Sequence, residues 1–424
     1  MLETTASDGL ASDSVAVRLR KAREKAGLSM RTLSEKAGLS AGTAQSIESG
    51  TTPSIATLER LARAAGVTSS WLAFGEGSSD RPDGNCLVLP NVSLLTRIQA
   101  LEKLLQGNGG HIDHSYLYLD AKGAAAWQAL VTQSDLSESQ KSIPTQTMAE
   151  RVASLAACDL DVLALGSGTA KHEVALVRAL ARRCAVPIHL YLLDISPALL
   201  TEALLYAQQT FSAIPGVSVS GIFGDLYQLA DCNELLQKPR RQRLATLLGY
   251  TLGNMENEVR FLQNSLSVFA TDDLLLLDVT VARGPISEPS EILKNDPALR
   301  KNRPHEYMHL LANFLLGPVI RNAPGARNVR LEPRLDLDSA TVPGSYAVDT
   351  RALFQQEGVS KDFSVGYVKR YDPDKLAEVV ERCGWKQVHR ESYAEEFQPA
   401  MLMLFRKTRR PSSHLKMQQK AADQ

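Results

Sequence analysis

The strongest chemical signal in the sequence is DVLALGSGTAKHEVALV at 161–177: an apolar run, then Gly166, Ser167, Gly168, Thr169 and Ala170, then a helical pattern. Glycines in such a corner let the main chain approach a ligand closely at a helix N-terminus. The turn alone does not name the ligand, because dinucleotide-binding folds use nearly the same one. The following elements narrow it. Asp194 ends the next apolar run in LYLLDISP, at the distance expected for a carboxylate that accepts hydrogen bonds from a ribose. Asp225, in GIFGDLYQL, ends the third run, with Leu226 beside it. Ordinary polar strand ends would explain any one of these, but seldom all three.

A glycine turn, then Asp, then Asp, on three successive strand ends fits S-adenosylmethionine (SAM) better than a dinucleotide. Gly166, Ser167, Gly168, Thr169, Asp194, Asp225 and Leu226 are then the cofactor contacts. Methyl transfer is an in-line displacement, in which a protein mainly aligns a desolvated nucleophile with the sulfonium methyl. Tyr250 and Asn254 follow the fourth apolar run and are the candidates for orienting a substrate or accepting a proton, with plain packing an equal alternative for Tyr250. His305-Glu306-Tyr307-Met308-His309 matches HExxH, which on a helix would put two imidazoles on one face for zinc with Glu306 as base. Substrate contacts from His305 and His309 are favoured over a metal, and a solvated or packed helix over both; no metal is expected.

These residues need an alternating frame to position them. Apolar runs at 161–165, 188–193, 217–223, 244–248 and 274–279 alternate with helical patterns, the signature of a parallel sheet with crossover helices. The fold class is therefore α/β, a Rossmann-like doubly wound sheet of the class I methyltransferase kind, with a small all-α domain at the N-terminus. The stretch 285–346 breaks the rhythm and reads as an insertion or lid with one helix near 305–316; 364–369, a helix at 373–383 and 401–405 are expected to return the chain to the sheet. Domain boundaries are placed at 14–77, a linker and connecting helix at 78–110, and 111–408. The connecting helix carries Leu95, Ile98, Leu101 and Leu105 at helical spacing, as a strut on the next domain or a dimer helix, the strut being favoured. The basic tail from Arg406 reads as polar and loose.

From 15 to 77 the sequence reads as short helices stopped by Gly27, Gly38, Gly50 and Gly66, with Trp71, Leu72 and Phe74 closing a small core. The run LRKAREKAGLSMRTLSEKAGLSAGTAQSIESGTTPSIATLERLARAAGV resembles the Cro/C1-type (XRE) helix-turn-helix family over 15–74. That resemblance implies a third helix in the major groove of double-stranded DNA, braced by the second. Arg31, Thr43, Gln45 and Ser46 would face bases or phosphates, while Leu33, Ala37, Leu39, Ala44 and Ile47 form core. The alternative is a dimerisation or docking module. Nine Lys or Arg against eight Asp or Glu over 1–77 supply little of the phosphate attraction that dominates DNA affinity.

The larger part, over roughly 114–407, resembles the histidine-specific methyltransferase family that makes trimethylhistidine in ergothioneine synthesis. The resemblance rests on YLDAKGAAAWQAL (118–130), IPTQTMAE (143–150), LGSGTA, LLDIS, GD at 224–225, and above all LGYTLGNMENEVRFL (248–262). It implies that Gly166, Asp194, Asp225 and Leu226 bind SAM. It also has gaps. The family reads an imidazole with a Glu-x-Ser pattern, and GYVKRY here places Gly366 and Val368 at those positions; Gln146 stands where the family has Arg. A site built on hydrogen bonds loses selectivity without them, so free histidine is not the expected acceptor.

Composition sets outer bounds. The 424 residues, 44% hydrophobic, suffice for two cores. Lys plus Arg and Asp plus Glu balance at 47 each, so no global charge draws the chain to nucleic acid or anionic membrane. Five scattered cysteines without a CxxC pair argue against a disulfide framework, and no signal peptide or apolar run of about 18 residues occurs, so the cytoplasm is the expected compartment. The leading expectation is methyl transfer from SAM to nitrogen or oxygen of a small amine, amino acid or related metabolite, by a homodimer that also binds DNA. The alternatives are a transcription regulator whose methyltransferase-like domain senses SAM or a metabolite without turnover, and a methyltransferase acting on a protein or peptide.

Overall fold

The computed structural model describes residues 14–51, 53–67, 71–72, 86–88, 94–133, 143–156, 159–184, 186–232, 241–299, 305–338, 341–393 and 399–408. The chain divides into two compact units, Met1–Asn85 and Cys86–Gln424.

In the first unit the helices bounded within the described residues are α1 (Val15–Lys25), α2 (Met30–Lys36), α3 (Thr43–Glu48) and α4 (Ile55–Ala65). Ser14, Ser29 and Ser54 cap α1, α2 and α4 by accepting main-chain N–H bonds, which settles where each begins. Gly27, Gly38 and Gly66 take positive φ after the helices, as stop signals do. Leu19, Leu33, Ala44, Ile47, Leu61 and Leu72 make the core, with Trp71 packed at its edge; Phe74 lies outside the described residues. Ser34 Oγ accepts the Ala44 N–H at 3.0 Å and Arg23 pairs with the buried Glu48 at 2.6 Å, so α3 is held by both earlier helices.

In the second unit the strands are β1 (Cys86–Val88), β2 (Gly109–His111), β3 (Asp159–Leu165), β4 (Ile188–Asp194), β5 (Val217–Phe223), β6 (Arg241–Leu247), β7 (Leu274–Thr280), β8 (Arg327–Asp336), β9 (Tyr346–Gln356), β10 (Val359–Arg370), β11 (Trp385–Tyr393) and β12 (Ala400–Lys407). The helices are α5 (Leu94–Gln106), α6 (Ala121–Gln133), α7 (Thr145–Leu155), α8 (Lys171–Ala181), α9 (Pro197–Phe211), α10 (Glu258–Asn264), α11 (Pro289–Asn295), α12 (His305–Asn322) and α13 (Pro373–Arg382).

The main sheet has the order β1-β5-β4-β3-β6-β7-β12-β11. Strands β3 to β7 are parallel neighbours, and β12 runs antiparallel to both β7 and β11. Chain order runs outward from β3 through β4 to β5, then restarts at β6, so the topological switch point lies between β3 and β6. Both faces are covered: α7, α8 and α9 pack on one, α10 and α13 on the other, which is why β3 and β7 read as continuous apolar runs.

A second sheet, β2-β10-β9-β8, is mainly antiparallel and packs α5, α6 and α12 through Leu101, Leu105, Leu130, Phe314, Leu315, Phe354 and Phe363. This corrects the sequence reading. The segment 364–369 belongs to β10 of this second sheet, so the excursion from the main sheet runs from β7 to the end of β10 and carries three strands of its own. Strand β8 alternates polar and partly buried residues and has Pro333 within it, which hid its period. The two sheets are tied by a fully buried ion pair between Lys369 of β10 and Glu258 of α10. Helix α5 lies on the second sheet as a strut: Leu101 and Leu105 are buried and Lys361 Nζ donates to the Leu105 carbonyl at 2.6 Å.

Candidate active site

A cavity of about 970 Å³ opens at the carboxyl ends of β3, β4, β5 and β6, where the chain order reverses. Its first wall is the glycine corner. The Gly166 and Ser167 N–H groups both bond the Leu193 carbonyl, at 2.9 and 3.0 Å, which turns the chain sharply off β3. Gly166 and Gly168 have φ of 71° and 52°. A Cβ on Gly168 would stand 2.9 Å from the Trp127 ring, and one on Gly166 would stand 3.2 Å from Thr251 Cγ2. Only glycine leaves this cradle open.

Asp194 ends β4 beside the corner. It accepts the Gly168 N–H at 2.8 Å through Oδ2 and the Ser196 N–H at 2.8 Å through Oδ1, and burial raises its carboxyl to about 6. Asp225 follows β5 and lines the cavity with Leu226. It accepts the Tyr227 N–H at 2.9 Å and is ion-paired with Arg97 of α5, whose other nitrogen donates to Ser115 Oγ at 3.0 Å. Nothing in the pattern around Arg97 marked it, because its partner lies 128 residues away.

The comparisons fit this arrangement. Residues 97–285 match the family described as histidine-specific methyltransferase, SAM-dependent, and residues 19–72 match the helix-turn-helix family. The C-terminal unit is a SAM-dependent methyltransferase domain.

Among solved structures, magnesium protoporphyrin IX methyltransferase from Synechocystis PCC 6803 with bound S-adenosylhomocysteine is similar at 13% identity, covering 69% of this chain and 97% of its own, with a TM-score of 0.37. The 1,6-didemethyltoxoflavin-N1-methyltransferase of Burkholderia thailandensis is similar at 11% identity, covering 68% and 88%, with a TM-score of 0.35. They say nothing about the acceptor of this chain. No curated protein matches.

The methyltransferase cavity continues past the glycine corner, where its wall comes from 113–132: Asp113, His114, Tyr118, Trp127, Gln128 and Thr132. His114 Nε2 accepts the Tyr367 N–H at 3.2 Å, and burial lowers its pKa to about 4, so the ring is neutral at physiological pH. Tyr118 meets Trp127 edge-on, 6.2 Å between centroids. In the sequence, 118–130 carries part of the family resemblance, yet none of these side chains is marked there with a role. The signal was there in Tyr118 and Trp127, two aromatics on an alanine-rich segment.

Of the two catalytic candidates, the structure brings only Asn254 to the cavity. Tyr250 is a correction. It adopts φ 65°, and its side chain turns into the core with Ile143, Met148 and Tyr393. Its main chain sits in a turn fixed by Asp278, which accepts the Gly249 N–H at 2.9 Å and is bonded by the Tyr393 hydroxyl. Burial pushes the Asp278 carboxyl up to about 7.

His305 and His309 are a second correction. Both are exposed on the first turns of α12, neither lines the cavity, and His309 Nδ1 lies 3.3 Å from the Asn313 amide. Among the described residues no group of three His, Cys, Asp or Glu is placed to hold a metal. At Gly366 a Cβ would stand 3.0 Å from Leu315 Cδ1, so a longer side chain there requires Leu315 to shift.

In the helix-turn-helix unit, Gln45 and Ser46 are exposed on α3. Thr43 is half-buried with its hydroxyl 2.7 Å from that of Ser40, and Arg31 is exposed but paired with Glu35 at 2.9 Å. Among the described residues no helix is long and apolar enough to cross a membrane.

Proposed function

We propose that this protein transfers a methyl group from SAM to nitrogen or oxygen of a small amine, amino acid or related metabolite, and that its N-terminal unit, over 14–77, binds double-stranded DNA, as a homodimer in the cytoplasm. The carrying observation is the cavity. At about 970 Å³ it stands at the top of the ~300–1,000 Å³ range of ligand pockets, and its lining runs on from the glycine corner to 113–132, which supports a place for an acceptor beside the donor. The donor supplies the sulfonium methyl when bound. Gly166, Ser167, Gly168 and Thr169 hold it through the main chain, Asp194 accepts from the ribose, and Asp225 with Leu226 takes the adenine. Asn254 orients the acceptor. Asp113 and the neutral His114 offer it an anion and a fixed imidazole, and Tyr118 and Trp127 exclude water from the reacting atoms.

The acceptor is not free histidine in this reading, since Gly366 and Val368 cannot bond an imidazole through their side chains. Incubating the full chain with methyl-labelled SAM and a metabolite extract, followed by mass spectrometry, should reveal one labelled small product. Label appearing only in protein would favour a peptide acceptor and refute the small-molecule reading.

One observation favours a second reading, a regulator that senses SAM. Helix α5 follows the first unit in the chain and places Arg97 on Asp225, so the adenine anchor is shared with the segment leading from the DNA module. In that case SAM changes operator affinity severalfold and no labelled product forms.

A further inference from the structure

The apolar strand β3 brings no charge to the glycine corner, since Val162, Leu163, Ala164 and Leu165 precede Gly166. The first carboxyl after the corner in the chain is Glu173, third residue of α8, which lines the cavity although it is only 3% exposed. Two other buried carboxyls face it: Asp194 from the end of β4 and Asp278 from the end of β7. Each of those has dedicated donors, Gly168 and Ser196 for Asp194, Gly249 and Tyr393 for Asp278. Glu173 accepts a bond from its own main-chain N–H, and among the described residues no ion pair joins it to a cation.

The surroundings offer no compensating charge. On its own helix Lys171 is exposed and His172 is held neutral, its pKa lowered to about 4 by burial and Lys171. On α7, which packs against α8, Glu150 and Arg151 are both exposed. Behind Asp278 stand the phenols of Tyr393 and Tyr250, which bring no positive charge. Three buried carboxyls share this region without a cation, so ionising Glu173 is costly unless a partner arrives.

SAM supplies that partner. With adenine at Asp225 and ribose at Asp194, as proposed above, its amino-acid end would be left for the glycine corner and the start of α8, which line the same cavity. We propose that Glu173 anchors the donor's α-ammonium group, and that donor binding expels a proton from Glu173. Burial and the two neighbouring carboxyls hold the free protein's Glu173 at about 8, protonated at neutral pH; an ammonium against it favours the ionised form. The inference concerns the donor alone and stands whichever acceptor the cavity takes.

Titration calorimetry on the full chain tests it with three probes: SAM, S-adenosylhomocysteine, and 5′-methylthioadenosine, which lacks the amino-acid end. In the unaltered protein at pH 7, heats measured in buffers of different ionisation enthalpy should reveal roughly one proton released per SAM or S-adenosylhomocysteine, and none with methylthioadenosine. Glu173→Gln should weaken SAM and S-adenosylhomocysteine about tenfold or more, abolish the proton release, and leave methylthioadenosine within about twofold, that last affinity also reporting an intact fold. Equal loss for all three probes would reduce Glu173 to a helix-start residue and overturn the proposal. So would no loss at all, or a loss confined to SAM, which would assign the carboxyl to the sulfonium. Should the variant not fold, buffer-independent heats for SAM in the unaltered protein would be enough to reject it.

Discussion

The two halves of the cavity, proposed to hold donor and acceptor, are built by different means. The donor half is main chain and strand ends: positive-φ glycines, N–H groups bonded to a neighbouring strand, and carboxylates at the last residue of β4 and two residues past β5. The acceptor half is side chains from 113–132, seated against the second sheet through contacts such as His114 with the Tyr367 N–H. Geometry set by a sheet edge tolerates little change. A wall of side chains backed by a separate sheet can be exchanged without disturbing the main sheet, which is how one fold serves many acceptors. The family match, 97–285, covers the residues of both halves and ends before β8, β9 and β10, so what it leaves outside is the second-sheet strands behind the acceptor wall.

The sharpest way to break this contrast is to put a side chain into the glycine corner. Gly168→Val places a branched carbon at φ 52° with the Trp127 ring 2.9 Å from its Cβ. SAM affinity by calorimetry should fall more than about 100-fold, a loss of ~2.7 kcal/mol or greater. Gly168→Ala combined with Trp127→Ala removes the steric part and should recover some affinity, leaving a residual strain of ~1–2 kcal/mol from the left-handed backbone. Undiminished binding in Gly168→Val would mean that the corner does not cradle the donor.

The acceptor half should respond in the opposite sense. Asp113→Asn and His114→Phe are each expected to lower kcat/KM for the acceptor about tenfold, ~1.4 kcal/mol of transition-state stabilisation. The SAM dissociation constant should stay within about twofold. Parallel losses in donor binding would erase the distinction between the halves.

That distinction also explains what could be read from the sequence. Gly166, Asp194 and Asp225 were legible because a parallel strand is a short apolar run and its ending residue is adjacent in the chain to the turn it feeds. Main-sheet strands β3 to β7 were found for the same reason. The second sheet was not, because β8 and β9 alternate irregularly and their apolar partners on α5, α6 and α12 lie far away in the chain. Tyr250 was misplaced because its position after β6 is correct while its φ of 65°, invisible in the sequence, sends the side chain into the core. Arg97 and Glu173 each depend on a distant partner or on burial, which no local pattern reports.

A smaller effect tests the donor half without a ligand. Glu173 and Asp278 are raised by burial to about 8 and about 7, so the folded chain holds protons that the unfolded chain has lost. Stability is then lost as pH rises through these values. His114 and His172, lowered to about 4, have the opposite slope below 6.5 but are neutral in both states above it. From pH 6.5 to about 8 the ligand-free Tm should therefore fall, by on the order of a few degrees. Asp278→Asn should flatten that slope. A Tm that climbs across the same interval would contradict the buried carboxyls of the donor site.

The smallest effect is expected where the sequence offered its most suggestive metal motif. His305 and His309 stand one helical turn apart on α12 and so share a face, which is the geometry that makes HExxH a zinc signature. A zinc site needs three or four ligands and a surrounding layer that orients them. Here both rings are exposed, His309 faces the Asn313 amide, and no third ligand stands among the described residues. Exposed substitutions of this kind usually move stability by no more than about 0.5 kcal/mol. His305→Ala and His309→Ala should accordingly leave Tm within about a degree and donor and acceptor kinetics within about twofold. The full chain, dialysed against zinc, should retain none that depends on either residue. Stoichiometric zinc retention that His309→Ala removes would move α12 from scaffold to site and extend the reacting centre beyond the cavity edge.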